Sequence, residues 1–149
     1  MATTATITIA SDIYSGFSGI SKTMTLTKAG TLNDIEETTG FSRRKFTATA
    51  AKDLIIMADA SLIQETDDSK AAKVYIQNIG DGKGNIDKSI AVAVSLGTAG
   101  GTTQQISKLY GGDWMLIPLT TIDTTGDIFV TPETEDPVVL EYVMFYEEA

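Results

Sequence analysis

Twenty acidic residues against eleven basic ones, with no histidine and no cysteine, define the chemistry open to this chain of 149 residues. Without a thiol there is no disulfide, zinc–thiolate centre or cysteine nucleophile, and without an imidazole the commonest metal ligand and general base is missing. Carboxylates remain. Adjacent ones occur at Glu36-Glu37, at Asp67-Asp68 and in the run PETEDP over residues 132–137. Acid–base work on a glycoside needs two carboxylates roughly 5 to 10 Å apart across a cleft, and linear spacing does not show that. These clusters read as solvated loops that favour solubility and oppose unwanted association. No catalytic residue is assigned and no enzyme is expected.

The segment DGKGNID offers oxygen ligands at Asp81, Asn85 and Asp87. A calcium loop would not place Lys83 third, would carry glycine where Ile86 stands, and would close on a glutamate. Its GKG also lacks the upstream glycine of a phosphate loop. A tight turn explains it, and neither metal nor cofactor is expected. The basic triplet Arg43-Arg44-Lys45 reads as the solvent-facing start of a strand. With a formal net charge of −9, nucleic acid and anionic membranes are not the expected partners. The opening MATTATITIA has no basic leader and no long apolar run, so neither a secretory signal nor a membrane-spanning helix is expected. The chain is then expected to be made and kept in the cytoplasm unless released in a larger particle.

Period-two alternation dominates the elements. Ile7 and Ile9 oppose Thr6 and Thr8; Met24 and Leu26 oppose Thr23, Thr25 and Thr27. Such segments read as half-buried strands, and the 22 threonines suit pleated surfaces. SDIYSGFSG reads as a loop, residues 29–42 as a long surface connection, DLIIMADA as a buried strand and SLIQETDDSKAA as a helix of about three turns. Val74 and Ile76 alternate with Lys73, Tyr75 and Gln77. DGKGN then returns the chain as a hairpin into SIAVAVSL, where Ile90, Val92, Val94 and Leu96 share one face. GTAGGTTQ is a loop and Gly111-Gly112 a second tight turn. In the last strand, residues 137–147, Val138, Leu140, Tyr142, Met144 and Tyr146 oppose Val139, Val143 and Phe145, which share their face with Glu141 and Glu147. Apolar on both faces, it is either central or covered by another subunit.

The size fits one domain, and about ten short strands with turn signals predict an all-β fold, an antiparallel β-sandwich or jelly-roll-like domain over 21–149 with an N-terminal arm or first hairpin over 1–20. Contacts with other subunits are expected from the arm (Ile7, Ile9) and the outer face of the last strand (Val139, Val143, Phe145). Trp114 is expected as a core residue beside Leu116, with an exposed interface anchor as the alternative.

The blocks Lys73-Val-Tyr-Ile-Gln-Asn78, Ile106-Ser-Lys-Leu-Tyr-Gly-Gly-Asp113, Trp114-Met-Leu-Ile-Pro118, Asp127-Ile-Phe-Val130 and Leu140-Glu-Tyr-Val-Met-Phe-Tyr146 resemble small virion proteins of tailed bacteriophages, notably cyanophages. The likeness covers roughly residues 70 to 147. It implies a structural role, commonly a capsid decoration or cement protein sitting as a homotrimer between major capsid protein subunits on the capsid surface. A tail, baseplate or head-completion component is the alternative within that class. A carbohydrate-binding module, with Trp114, Tyr110 and Tyr75 as its platform, is the alternative from another.

Overall fold

Residues branched at Cβ resist helix and pack well on a pleated surface. The computed structural model describes residues 3–9, 19–26, 37–38, 40–47, 52–55, 72–97, 103–119 and 127–146. Among them it holds no helix and eleven strands: β1 (Thr4–Ile9), β2 (Ile20–Thr25), β3 (Glu37–Thr38), β4 (Ser42–Phe46), β5 (Lys52–Ile55), β6 (Ala72–Asn78), β7 (Ala91–Gly97), β8 (Gln104–Tyr110), β9 (Trp114–Leu119), β10 (Asp127–Pro132) and β11 (Val138–Tyr146). The helix expected from Ser61 and the loop expected from Ser11 lie outside the described residues, as do most of the connection from residue 29 and most of GTAGGTTQ.

All pairings are antiparallel. One sheet runs β5-β10-β7-β8. In the other, β9 pairs β6, β6 pairs β11, and β3 and β4 share the far edge of β11. Side-chain alternation sends Val92, Val94, Leu109, Ile128 and Val130 from the first sheet against Phe46, Val74, Ile76, Val138, Leu140 and Met144 from the second, as expected for β6, β7 and β11. Each fully buried side chain of this kind contributes about 1.5–3 kcal/mol. The fold is therefore all-β, two antiparallel sheets facing across one core in the manner of a sandwich. Both faces of β11 are covered by the chain itself: Val138, Leu140 and Met144 by the core, and Val139 by the turn at Gly82.

One expectation is overturned. DGKGN does not close a hairpin, because β6 and β7 belong to different sheets. Glycine marks a reversal of direction but not the sheet the chain enters next. The stretch from residue 79 to residue 90 is also far longer than the about two to five residues of a hairpin loop. Gly111-Gly112 is a tight turn, closed by the Asp113 amide donating to the Tyr110 carbonyl at 2.8 Å, and it too carries the chain between sheets, from β8 to β9.

Asn78, fully buried, ties both crossings together. Its Nδ2 donates to the carbonyls of Ile90 at 3.2 Å and Leu109 at 3.1 Å, and its Oδ1 accepts the Gly80 amide at 3.0 Å. Its backbone amide donates to Asp113 at 3.0 Å, and its carbonyl accepts the Gly112 amide at 2.8 Å. The crossings pack backbone to backbone. A Cβ at Gly111 would run into the Asp87 carbonyl, and one at Gly80, where φ is +71°, into the Asn85 carbonyl.

Among the described strands, β2 pairs only with β1, so it belongs to the arm and not to the sandwich. Register sets Ile9 opposite Ile20 and Ala5 opposite Met24, giving one apolar face interrupted by Lys22. The other face carries hydroxyls only: Thr4, Thr6, Thr8, Ser21, Thr23 and Thr25. Two cross-strand pairs bond there, Thr6 with Thr23 at 2.7 Å and Thr8 with Ser21 at 3.4 Å. Nearly every position of the hairpin is exposed. Its foot is fixed by Leu26, buried, whose amide donates to the Thr3 carbonyl at 2.8 Å.

Candidate functional site

On the outer face of the second sheet, side chains form rows set by strand register. Arg43, Glu141, Gln77 and Trp114 lie side by side across β4, β11, β6 and β9. Val143, Tyr75 and Leu116 make the next row. Phe41, immediately before β4, meets Tyr75 edge to face with ring centroids 6.5 Å apart, and Tyr75 meets Trp114 at 6.2 Å with 32° between planes. The foot of the hairpin rises beside this surface and encloses a groove of about 420 Å³. Its walls include Ala5 and Ile7 from β1, Leu26, the three aromatic rings, Leu116, Glu141, Val143 and Phe145.

Thr3, Thr4 and Thr6 line the groove from the arm, and the charged and amide groups lie on the sheet. Arg43 Nε donates to Glu141 Oε2 at 2.7 Å, and the Tyr75 hydroxyl donates to Gln77 Oε1 at 2.8 Å. Partial burial, with the Glu141 charge in second place, raises the Tyr75 pKa above that of a free phenol. The hydroxyl therefore remains a donor through the physiological range. Burial also lowers the pKa of Lys73 on the same face.

Trp114 does not close the core. It stands on the outer face, 47% exposed, because its strand continues a parity in which Met115 is the residue turned inward. Of the positions expected to meet other subunits, Ile7, Trp114, Val143 and Phe145 come together in the groove. Ile9 lies further up the arm, half exposed. Val139 is buried under the chain's own turn at Gly82, and Val143 forms the groove floor at 1% exposure.

Of the three rings expected in a sugar platform, Tyr75 and Trp114 are adjacent. Tyr110 is not their neighbour in any ring contact among the described residues; it ends β8 in the other sheet, its ring 5.2 Å from the Lys108 ammonium. Phe41, 71% exposed, stands edge-on beside Tyr75 instead. It escaped the sequence reading because it sits in a glycine-marked connection. The signal lay in its parity with Arg43, visible once Arg43 is set opposite Glu141.

The turn at Asp81 is self-contained. One carboxylate oxygen accepts the amides of Lys83 at 2.7 Å and Asn85 at 3.2 Å, and the other accepts Asn85 Nδ2 at 3.0 Å. These bonds, the Lys83 amide foremost, hold its pKa below the ordinary carboxylate value. Asp87 is lowered in the same way by the Ser89 hydroxyl and amide. Among the described residues no three acidic side chains gather as a metal cluster, and no helix is long and apolar enough to cross a membrane. A scan of the chain against protein-family models finds no match, and a search of curated proteins finds none.

Proposed function

We propose that this chain is a structural protein of a tailed-phage virion, a decoration or cement protein that binds as a homotrimer between major capsid protein subunits. The observation that carries the reading is the β1–β2 hairpin, which holds Ile7, Ile9, Ile20 and Met24 in water. A two-stranded sheet is marginal by itself, and its apolar face gains stability only when something covers it. An arm of this form is suited to reaching a neighbour. The blocks that resemble phage virion proteins fall on β6, β8, β9, β10 and β11, the strands of the body, and the arm supplies a contact outside them.

The mechanism is mass action. A protein that engages only the assembled shell stabilises it by about 2.7 kcal/mol per site when its free concentration is about 100 times its Kd. No catalytic group, metal or cofactor takes part. The test is light scattering of the purified protein over a range of concentrations, followed by co-sedimentation with empty heads of its phage. A stable trimer that pellets with heads is expected, and Ile9→Asp with Ile20→Asp should abolish pelleting while leaving thermal unfolding unchanged. A monomer that ignores heads would overturn the reading, and rings or fibres under the electron microscope would move the protein to the tail.

A further inference from the structure

The groove beside the arm has a chemistry that capsid binding does not use. Tyr75 and Trp114 form a tilted aromatic pair beside the Val143 floor, Phe41 stands edge-on to Tyr75, and Glu141, in register with Arg43 and Gln77, lines the groove. We propose that this groove binds a neutral, β-1,4-linked oligosaccharide of gluco configuration.

Three features select that ligand. A pyranose whose substituents are all equatorial shows a flat C–H face above and below the ring, and such faces stack on exposed aromatic rings. The β-1,4 linkage keeps successive units in a ribbon, so neighbouring units can lie over Tyr75 and Trp114, whose centroids are 6.2 Å apart with 32° between planes, while Phe41, edge-on to Tyr75, walls the ribbon's side. The edge of a sugar is a set of hydroxyls that both donate and accept. The groove answers with the Glu141 carboxylate as acceptor and with the hydroxyl-bearing residues Thr3, Thr4 and Thr6 along its arm side, and Glu141 is paired with Arg43 so that the two carry no net charge, with the Gln77 amide beside them in the same row. An apolar protein segment in the same place would desolvate that pair and amide without replacing their water, which is unfavourable. A net charge of −9 also disfavours uronic or sulfated chains. The volume of about 420 Å³ falls within the ~300–1,000 Å³ range of small-ligand sites.

Trp114 is the sole tryptophan, so its emission reports on the site directly. The experiment titrates the full chain with cellohexaose and with chitohexaose, using maltohexaose, whose α-linked chain coils, as control. A saturable blue shift with at least one of the β-1,4 hexaoses is expected. Phe41→Ala and Tyr75→Ala should each weaken that binding by about tenfold, the loss of one aromatic contact. Phe41 is largely exposed, so its variant should keep the parent's thermal midpoint. Three outcomes would overturn the proposal: no saturable change at millimolar sugar, binding confined to maltohexaose, or binding that both variants leave intact. An emission already blue-shifted without sugar, and changing with protein concentration, would overturn it in favour of a second copy in the groove. Light scattering on the same samples keeps the outcome separate from that of the capsid reading.

Discussion

Burying an amide without partners costs about 1–3 kcal/mol for each group left unpaired, and Asn78 escapes that cost only because two carbonyls and one amide converge on it. Its side chain joins the end of β6 to the start of β7 and the end of β8. Asn78→Ala should lower stability by about 3 kcal/mol in urea unfolding, whereas the exposed Thr8→Ala should stay within about 0.5 kcal/mol of the parent. Asp81 works at a different place, in water. Its folded pKa is depressed, so the stability it supplies is complete above the ordinary carboxylate value and disappears as pH falls through the depressed one. Thermal midpoints measured between about pH 2 and 7 should therefore fall less steeply on the acid side for Asp81→Asn than for the parent. An equal slope would show that the turn's hydrogen bonds survive protonation.

At the level of strands, the parity of β7 and β11 and the inward faces of Val74 and Ile76 were legible because a side-chain period of two survives any choice of neighbour. Partnership was not legible. DGKGN and Gly111-Gly112 carry the glycines of a hairpin, yet both pass the chain to the opposite sheet, a choice set by packing around Asn78 that no local residue announces. The groove was hidden for the same reason, since Tyr75 and Trp114 meet through the pairing of β6 with β9, and Phe41, on the approach to β4, joins them only when β11 has bridged β4 to β6. Ile7 and Ile9 were readable as an apolar face, but not that β2 would supply its other half. The arm has few neighbours beyond its own foot, so its amides should exchange with solvent several orders of magnitude faster than those of β6 and β11 in dilute protein. Hydrogen exchange measures this directly, and equal protection would mean that the hairpin is held by something other than Leu26.

For the molecule as a whole, two tendencies oppose each other. The arm and groove present apolar surface of the kind that marks interaction sites, while a net charge of −9 pushes copies apart. Raising salt from ~0.1 to ~1 M shortens the screening length from about 10 to about 3 Å and leaves apolar attraction in place. The weight-average mass from light scattering should therefore rise with salt. A fall would assign the contact to ion pairs instead.

The position of β11 also bears on how the protein comes into being. It is the last described strand in chain order, yet it lies between β4 and β6 in its sheet. During synthesis those two strands leave the ribosome with the gap between them still open, and long-range pairing of this kind forms slowly. A polypeptide interrupted anywhere before residue 138 has β4 severed from β6 and lacks Val138, Leu140 and Met144 from the core. Limited proteolysis of such a product should therefore be far faster than that of the chain carrying β11.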